Sequence, residues 1–539
     1  MEEHIFGTYA TDALKLVHHR AVRRGLQHWH QLTPRDPVPG EPVTLTVRVG
    51  PEITVTDMAA YFTTDGRLPE GSRGQAHHGQ AVRFALAEVQ WDTLVWDYLQ
   101  IWQAVIPPQP EGTLVRYRIS AWSPDGPEYF ADWPDAQIVV EKAAEAFFHD
   151  RPMPEVAPGD PAEGMHFAYT VDRYAAPDWA HEAVIYQIFP DRFYPGDGRD
   201  WLQTEDVSGI CGGTLYGVVD KLDYIQDLGA TAIWLTPIFP SPSHHGYDAT
   251  DYRRVDPRLG GDEALRLLVR EAHARGIRII LDLVCNHISH EHPIFVDARN
   301  NPASPYRDWF TFNDSAVGYR SFFGVRQMPQ LNMQNLEAAA WMIDHARYWL
   351  EAFDVDGYRL DYALGPGPDF WAVFRDACKR VKPDCLVIGE IVDSPKAIQA
   401  YIGRLDGNLD FHIETALRRT YGFGAWPEDQ FERFVARHYA FMPRSFVMPT
   451  FLDNHDTDRF LYIAGGDKDA LKRAAAAQMR LPAPPVIYYG TEVGLSQAQG
   501  KHGLGLEVSR AVMLWGDDQD RDLLAYYRQI IAERKQRGR

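Results

Sequence analysis

Apolar and polar residues follow two different rhythms along the chain. Between about residues 42 and 140 they alternate in short runs such as 43–49 and 114–119, separated by turns rich in Gly, Pro and Asp. Alternation of this kind is typical of strands with one buried face, and several short strands in succession predict a β-sandwich. We therefore expect residues 1–145 to form an N-terminal β-sandwich domain.

One stretch of this region is rich in aromatic residues. Trp91, Trp96, Tyr98 and Trp102 alternate with polar residues in the manner of a strand. These aromatic residues could form a carbohydrate-stacking surface, or they could pack in the core of the sandwich. Aromatic side chains at period two usually pack inside a sheet, so we predict that these residues are buried.

The next segment lacks apolar periodicity. Residues 150–165 are dense in Pro, Gly and acidic residues, as expected of a connection between domains. We predict a linker over 146–180.

From about residue 184 the rhythm changes to alternating strand-like and helix-like segments. Eight short apolar runs predict strands: residues 184–189, 232–235, 277–282, 355–361, 386–390, 409–411, 447–453 and 486–489. Apolar residues at helical spacing lie between them, for example Val218, Leu222, Ile225 and Leu228 before a capping Gly229.

Eight such units predict the fold of the remaining chain. They favour an α/β fold, a (β/α)8 TIM barrel over 181–539, with a small excursion over 288–335 after the third strand. An open doubly wound sheet is the alternative, but no Gly-x-Gly-x-x-Gly motif follows the first strand. The last strand is followed by one amphipathic helix with Leu523, Leu524, Tyr527, Ile530 and Ile531.

Composition and charge narrow the class of partner. The 539 residues are 45% hydrophobic, and 54 Lys and Arg against 74 Asp and Glu give a net charge of −20. An acidic surface repels nucleic acids and anionic membranes, so we expect a neutral partner. The N-terminus carries no signal-peptide pattern and no apolar run is long enough to span a membrane. We predict a soluble cytoplasmic protein whose four cysteines are reduced thiols.

Polar side chains are concentrated where the predicted barrel strands end. The carboxyl ends of barrel strands meet at one face, where catalytic residues are placed. Carboxylates, histidines and an arginine follow the third, fourth, fifth and seventh strands: Asp282, His287, Arg359, Asp361, Glu390, Asp453, His455 and Asp456. Several buried carboxylates are costly to a fold, so we interpret them as an active site.

Two reaction classes fit this set of residues. One is glycoside hydrolysis by a pair of carboxylates, and the other is hydrolysis by a divalent metal with His and Asp ligands. A His-x-His pair on the first strand would favour the metal, but that strand reads Tyr-Gln-Ile-Phe-Pro over 186–190. The carboxylate pair is therefore the preferred reading.

At these positions the sequence resembles the α-amylase family of glycoside hydrolases. Residues 282–287 (DLVCNH), 357–361 (GYRLD), 389–390 (GE) and 454–456 (NHD) are similar to its four conserved regions, in the same order. Further segments, including HGYD at 245–248 and MPQLN at 328–332, resemble the neopullulanase, cyclomaltodextrinase and maltogenic amylase group.

The resemblance implies a role for each motif residue. Asp361 corresponds to the nucleophile, Glu390 to the general acid/base and Asp456 to the carboxylate that stabilises the transition state. The positions that correspond to substrate-binding residues are Tyr247, Asp282, His287, Arg359 and His455, with Tyr247 stacked on the sugar. It also implies a retaining hydrolase of α-1,4 bonds, with α-1,6 bonds as a second option, in maltooligosaccharides, cyclodextrins or pullulan, and a homodimer.

The local sequence is consistent with these roles. Arg359 lies two residues before Asp361, so both side chains share one strand face, and its guanidinium would keep the nucleophile ionised. Glu390 has the apolar neighbours Ile388 and Ile391, and a nearby carboxylate would raise its pKa.

Two features leave the substrate open. The group usually carries a tryptophan soon after the general acid, where this chain has Ile391 and Val392, and residues 362–366 (YALGP) replace its usual Val-Ala-Asn-Glu. A transglycosylase with the same site and an inactive glucan-binding protein are the alternatives to a hydrolase.

The sequence also contains candidate ligands for one metal ion, calcium. No organic cofactor is needed for the predicted reaction. Asp191, Asp197 and Asp200 are candidate calcium ligands because calcium prefers oxygen donors, although a solvated acidic loop is the plainer reading. For His244 and His245 we favour packing or sugar contact over metal binding.

Overall fold

The computed structural model describes residues 12–133, 164–204, 206–501 and 505–537. The chain divides into two compact units. The first contains the described residues up to Tyr174 together with Pro368–Asp376 and Gln399–Arg404, and the second contains the rest.

The first unit contains two five-stranded antiparallel sheets, a two-stranded antiparallel sheet and a short helix. Helix α1 spans Asp12–Ala21. The strands are β1 (Leu26–Gln27), β2 (Leu32–Thr33), β3 (Val43–Val49), β4 (Asp57–Thr63), β5 (Glu70–Ser72), β6 (Gln75–His78), β7 (Gln80–Arg83), β8 (Ala85–Asp92), β9 (Asp97–Ile106), β10 (Thr113–Trp122), β11 (Glu128–Phe130) and β12 (Phe167–Val171).

The two sheets enclose one apolar core. One sheet has the order β1-β3-β9-β8 with β2 beside β3, and the other has the order β11-β10-β4-β7 with β12 beside β10. Side chains of both sheets, such as Val47 and Trp102 from the first and Phe62 and Tyr117 from the second, belong to the same buried cluster. The predicted N-terminal β-sandwich is confirmed.

The aromatic stretch departs from the prediction of a buried core. Trp102 is buried, but Trp91, Trp96 and Tyr98 are 47%, 74% and 58% exposed. The hairpin of β8 and β9 extends past the rest of its sheet, because β3 pairs with β9 only from Gln100 onward. Period two therefore identified a strand, but its aromatic residues lie beyond the layer that would have covered them.

The predicted linker is partly a strand. Residues 134–163 lie outside the described part of the chain, whereas Phe167–Val171 form β12 and pair with β10. Residues 167–171 thus belong to the sandwich, and all five are buried. A short helix, α2 (Asp178–Glu182), follows before the barrel.

The second unit contains a parallel sheet of seven strands that follow one another around a barrel. The strands are β13 (Ile185–Ile188), β14 (Ala232–Leu235), β15 (Arg278–Leu283), β16 (Gly357–Leu360), β17 (Leu386–Gly389), β18 (Gly407–Asn408) and β19 (Val486–Tyr488). They run in chain order from β13 to β18, and β19 pairs with β13. Nearly all of their residues are buried, as expected of a sheet covered on both faces.

The seventh barrel position is occupied by a short irregular strand. Parallel bridges join Gly407 to Val447 and Thr450 to Pro485, so residues 447–450 connect β18 to the segment before β19 and complete the ring. The sixth strand was predicted at 409–411. In the structure β18 begins two residues earlier, and Phe411 already belongs to a helix. The (β/α)8 barrel is confirmed.

Helices alternate with these strands. They are α3 (Pro190–Phe193), α4 (Leu215–Asp220), α5 (Leu222–Leu228), α6 (Gly261–Ala274), α7 (Pro293–Asn300), α8 (Leu336–Phe353), α9 (Gly367–Val381), α10 (Pro395–Ile398), α11 (Phe411–Leu417), α12 (Glu428–Phe441), α13 (Phe460–Ile463), α14 (Lys468–Arg480) and α15 (Arg521–Arg537). Gly229 ends α5 at φ 99°, the left-handed conformation expected of a C-cap. None of the described helices is long and apolar enough to cross a membrane.

The excursion after the third strand has its own structure. Between β15 and α8 it contains α7 and short 3-10 turns at Arg307–Trp309 and Phe322–Gly324. Isolated bridges tie it to the barrel, one of them between His287 and Gln330. This segment therefore stands beside the carboxyl end of β15, where the predicted site lies.

Candidate active site

The predicted catalytic residues come together at the carboxyl ends of adjacent strands. Asp282 of β15 and Arg359 of β16 are register partners, and Asp361 and Glu390 directly follow β16 and β17. The backbone N–H of Glu390 donates to Leu360 O at 2.9 Å. All four side chains are buried, so the strand order alone brings three carboxylates around one guanidinium.

Arg359 contacts each of these carboxylates. Its Nη1 donates to both carboxylate oxygens of Asp282 at 2.9 Å and to Asp361 Oδ1 at 3.1 Å. Its Nη2 lies 2.7 Å from Glu390 Oε2. The guanidinium carbon stands 5.1 Å from the centre of the Trp234 ring, which closes the other side. One positive charge is thus shared by three acidic groups.

Glu390 has the properties of a general acid. Burial, more than any other cause, raises its pKa to about 7, and the charge of Asp456 adds to the rise. Its Oε2 accepts the backbone N–H of Tyr362 at 3.1 Å, and Tyr362 takes the left-handed φ of 40° there. Its buried Oε1 makes no hydrogen bond with the described residues. That oxygen is available to a glycosidic oxygen.

Asp361 is in a more complex environment than the sequence indicated. Burial and the charges of Glu390, Asp282 and Asp456 raise its pKa, and Arg359 opposes that rise. Arg359 was expected to keep Asp361 ionised, but its charge is divided among three carboxylates. The charge of Glu390 is one of the causes that raise the pKa of Asp361, so the protonation of the two carboxyls is linked.

A second group of polar side chains links the other strand ends. The Tyr247 hydroxyl donates to Asp282 Oδ2 at 3.0 Å and lies 2.5 Å from His455 Nε2. The two rings are parallel, with centroids 5.3 Å apart. His455 Nε2 also lies 3.1 Å from Asp456 Oδ2. Tyr247, Asp282, His455 and Asp456 therefore form one connected network.

The contacts of His455 fix its protonation. Gln187 donates its amide N–H to His455 Nδ1 at 2.7 Å, which leaves the proton on Nε2 where it faces Tyr247 and Asp456. Burial lowers the pKa of His455 to about 3, so the ring is neutral at physiological pH. With its proton on Nε2, His455 is hydrogen-bonded to the Tyr247 hydroxyl and contributes no full charge beside Asp456.

His287 is held by residues of the excursion. Its Nδ1 lies 3.2 Å from the amide of Asn286, whose side-chain oxygen accepts from Gln330 at 2.7 Å. Phe322 stacks on the His287 ring at 4.8 Å and packs edge-on against Tyr362 at 5.0 Å. Burial lowers the pKa of His287 to about 3. The neutral imidazole and the aromatic pair form one wall of the site.

Comparison with known proteins agrees with this geometry. The sequence profile described as "Alpha amylase, catalytic domain" matches residues 187–535, which contain all eight predicted site residues. The chain belongs to the α-amylase family. The resemblance read from the four motifs is thereby confirmed.

Two relatives illustrate the match at the sequence level. The chain is 34% identical to "Alpha-amylase 2" of Dictyoglomus thermophilum over 512 residues, covering 94% of this chain and 81% of that protein. It is 36% identical to a cyclomaltodextrinase of Geobacillus thermopakistaniensis over 389 residues, covering 69% of this chain and 65% of that one. The match thus spans less than two thirds of the cyclomaltodextrinase.

A solved structure gives the same result. A cyclic α-maltosyl-(1→6)-maltose hydrolase from Arthrobacter globiformis, in complex with cyclic α-maltosyl-(1→6)-maltose, aligns with a TM-score of 0.62 and 33% identity. The alignment covers 67% of this chain and 84% of that chain. The named relatives are of the kind that the sequence motifs indicated.

One charged residue of the site lies outside the motifs of the family. Arg510, beyond the last barrel strand, places Nη2 3.0 Å from Asp456 Oδ1. It is 54 residues from Asp456 in sequence and belongs to no regular spacing, so no pattern singled it out. His244, for which packing or sugar contact was predicted, packs on Phe189 and pairs with Glu507 next to this arginine.

Two of the candidate calcium ligands, Asp191 and Asp197, make contacts with other groups of the protein. Both carboxylate oxygens of Asp191 accept backbone N–H groups, from Cys211 and Gly212, and Arg192 lies 3.3 Å away. Asp197 is exposed and pairs with Arg199. In the described part of the chain, no group of three or more His, Cys, Asp or Glu side chains is arranged to hold a metal. The donors around Asp191 fit hydrogen bonding and do not fit calcium.

Proposed function

We propose that the protein is a retaining α-glucan hydrolase that works by double displacement. Asp361 attacks the anomeric carbon while Glu390 gives its proton to the leaving oxygen, and a glycosyl ester forms on Asp361. Glu390, now a base, takes a proton from the water that hydrolyses the ester. The observation that carries the proposal is the buried Glu390, whose pKa of about 7 and unpaired Oε1 suit a general acid beside Asp361.

The surrounding side chains have supporting roles in this proposal. Asp456 stabilises positive charge that develops on the sugar ring, and Tyr247 offers its ring face to the sugar. His287 is a neutral imidazole whose Nε2 makes no hydrogen bond with the described residues, which suits hydrogen bonding to a sugar hydroxyl, and His455 orients Tyr247. Asp282 and Arg359 hold the nucleophile. No step requires an organic cofactor.

The substrates proposed are short α-glucans. Relatives are named for cyclomaltodextrin and for cyclic maltosyl-maltose, so we propose α-1,4 and also α-1,6 glucosidic bonds of maltooligosaccharides, cyclodextrins or pullulan. The same residues would serve a transglycosylase that passes the glycosyl group to a sugar. Intact Asp361, Glu390 and Asp456 argue against an inactive glucan-binding protein.

A hydrolysis panel tests the proposal. Maltotriose, β-cyclodextrin, pullulan, trehalose and starch are incubated with the protein, and products are separated by chromatography. We expect shorter glucans from at least one α-1,4 substrate and none from Asp361→Asn, because an amide cannot form the glycosyl ester. Longer products would identify a transglycosylase. An Asp361→Asn variant as active as the parent, with deamidation excluded, would contradict the nucleophile assignment.

Two further proposals concern the cellular compartment and the oligomeric state of the protein. The four cysteines are buried and unpaired, which supports a reducing compartment, and we propose the cytoplasm. A homodimer remains a prediction from the family resemblance, and sedimentation at several protein concentrations tests it.

A further inference from the structure

Arg510 is fixed on every side of its guanidinium. Its Nε donates to His455 O at 2.8 Å and its Nη1 to Glu507 Oε1 at 2.8 Å, while Nη2 lies 3.0 Å from Asp456 Oδ1. Its side chain is only 5% exposed. Three directed contacts of this kind leave a planar guanidinium a single orientation.

Its partner Glu507 is itself held by the barrel. Glu507 Oε2 lies 2.5 Å from His244 Nε2, and the His244 ring stacks on Phe189 with centroids 6.0 Å apart. The Arg510 guanidinium stands 5.7 Å over the same Phe189 ring. The segment after the last strand is thus anchored to residues at the ends of β13 and β14.

The charged groups around Asp456 indicate what Arg510 does. The titratable and charged groups that face its carboxylate are His455, Arg510, Arg359, Tyr247, Asp361 and Glu390. His455 is neutral, and Arg359 contacts Asp282, Asp361 and Glu390 instead. Arg510 places its guanidinium 3.0 Å from the carboxylate of Asp456, whereas Lys501 Nζ lies 3.4 Å from the backbone oxygen of the same residue.

We propose that Arg510 is a positioning residue for Asp456, which it keeps ionised and aimed at the reacting sugar, and that Glu507 and His244 hold Arg510 in place. The inference rests on the proposed function, in which Asp456 stabilises the transition state. Burial raises the pKa of Asp456, and the charges of His455 when protonated, of Arg510 and of Arg359 lower it. Geometry and charge thus act in the same direction.

Steady-state kinetics of Arg510→Met test the proposal. We expect kcat to fall about 10²-fold, the usual effect of weakening one preorganised electrostatic contact, with a smaller change in KM. Without the guanidinium the pKa of Asp456 rises, so the acidic limb of the kcat profile moves to higher pH. Millimolar guanidinium chloride restores part of the rate. Arg510→Lys lies between the two, because an ammonium cannot reproduce three directed bonds.

Arg459→Met is the matched control. Arg459 is equally buried and donates to Ser509 O at 2.8 Å and Tyr489 O at 2.6 Å, next to Arg510 but in no contact with the catalytic carboxylates. We expect it to lower Tm without moving the acidic limb or responding to guanidinium. If Arg510→Met does not fold, Glu507→Gln replaces it, with the same expected shift of the acidic limb at smaller amplitude.

The outcomes separate this inference from the proposed function. Asp456→Asn is measured in the same assay. If it is inactive while Arg510→Met keeps the parental kcat, or loses rate with an unchanged acidic limb and no response to guanidinium, the positioning role is overturned and the hydrolase remains. If Asp456→Asn is fully active, the proposed role of Asp456 fails first. An unshifted acidic limb in Glu507→Gln would likewise count against the inference.

Discussion

At the residue scale, the site is governed by the number of carboxylates around each cation. Asp282, Asp361 and Glu390 share Arg359, and Asp456 relies on Arg510. A buried cluster with more acidic groups than cations retains protons at neutral pH. A proton on Glu390 is the one that can serve the reaction, because its Oε1 makes no hydrogen bond with the described residues and can face a leaving oxygen.

The pH profile should report this proton. The pKa of Glu390 lies at about 7, above its ordinary value. A general acid works only when protonated, so we expect kcat/KM to fall as the pH rises through about 7. Glu390→Gln should lower kcat/KM on a maltooligosaccharide by about 10²–10⁴-fold and on a glucosyl fluoride by less, because fluoride leaves without a proton.

The second chemical step provides the control. Glu390→Gln also lacks the base that activates water, so the glycosyl-enzyme should accumulate and azide should restore part of the rate on the fluoride. Equal losses on both substrates without recovery by azide would argue against Glu390 and direct attention to Asp456. The alkaline limb should be absent from this variant.

The residues of the motifs could be read from sequence, and their partners could not. Asp361 and Glu390 directly follow barrel strands, Asp456 lies in the segment after residues 447–450 of the seventh strand, and strand ends converge whatever the loops do. Arg510 lies in an irregular segment and reaches Asp456 only through the folded path of the chain. The divided charge of Arg359 was equally hidden, because two of its three partners lie on other strands.

At the scale of elements, the barrel depends on close contact at its shortest strand. The two residues of β18 meet residue 447 of the irregular seventh strand, and Asn408 N donates to Val447 O at 2.9 Å. A Cβ added to Gly407 would lie 1.9 Å from that same Val447 O, which is backbone and cannot move aside. Asn408 in turn accepts the N–H of Ile391, next to Glu390.

Gly407→Ala should therefore destabilise the protein by about 3 kcal/mol, the upper end of overpacking costs, and lower kcat by displacing Asn408. Thermal unfolding and steady-state kinetics measure the two effects. Gly424→Ala is the control, because its φ is +62° and nothing lies within 4 Å of the added Cβ. It should cost about 1 kcal/mol through strain alone and leave kcat unchanged. Equal effects of both variants would exclude the steric explanation.

Two elements show what the periodicity of apolar residues does not predict. Alternation over 91–102 predicted one strand-like stretch with buried aromatic residues, whereas the structure has the end of β8, a turn at 93–96 and the start of β9. Whether a face is buried depends on the layer opposite, which is set by strand lengths far away in sequence. The sixth strand was misplaced for a related reason, because β18 has only two residues and carries almost no apolar signal.

At the scale of the whole molecule, the family motifs all lie outside the N-terminal sandwich. The motifs of the family lie within residues 187–535, and the sandwich contributes none of them. The net charge of −20 suits a neutral substrate, since an uncharged sugar is not repelled by an acidic protein.

The same acidic composition raises the question of a bound cation, which chelation answers. Calcium takes about 6–8 oxygen ligands, whereas the carboxylate of Asp191 faces backbone N–H donors and the guanidinium of Arg192. We expect dialysis against EDTA to leave both Tm and kcat/KM unchanged. Calcium and magnesium are added back separately as controls. A loss of Tm that calcium restores and magnesium does not would contradict this, and Asp191→Asn would then show whether the loop after β13 is responsible.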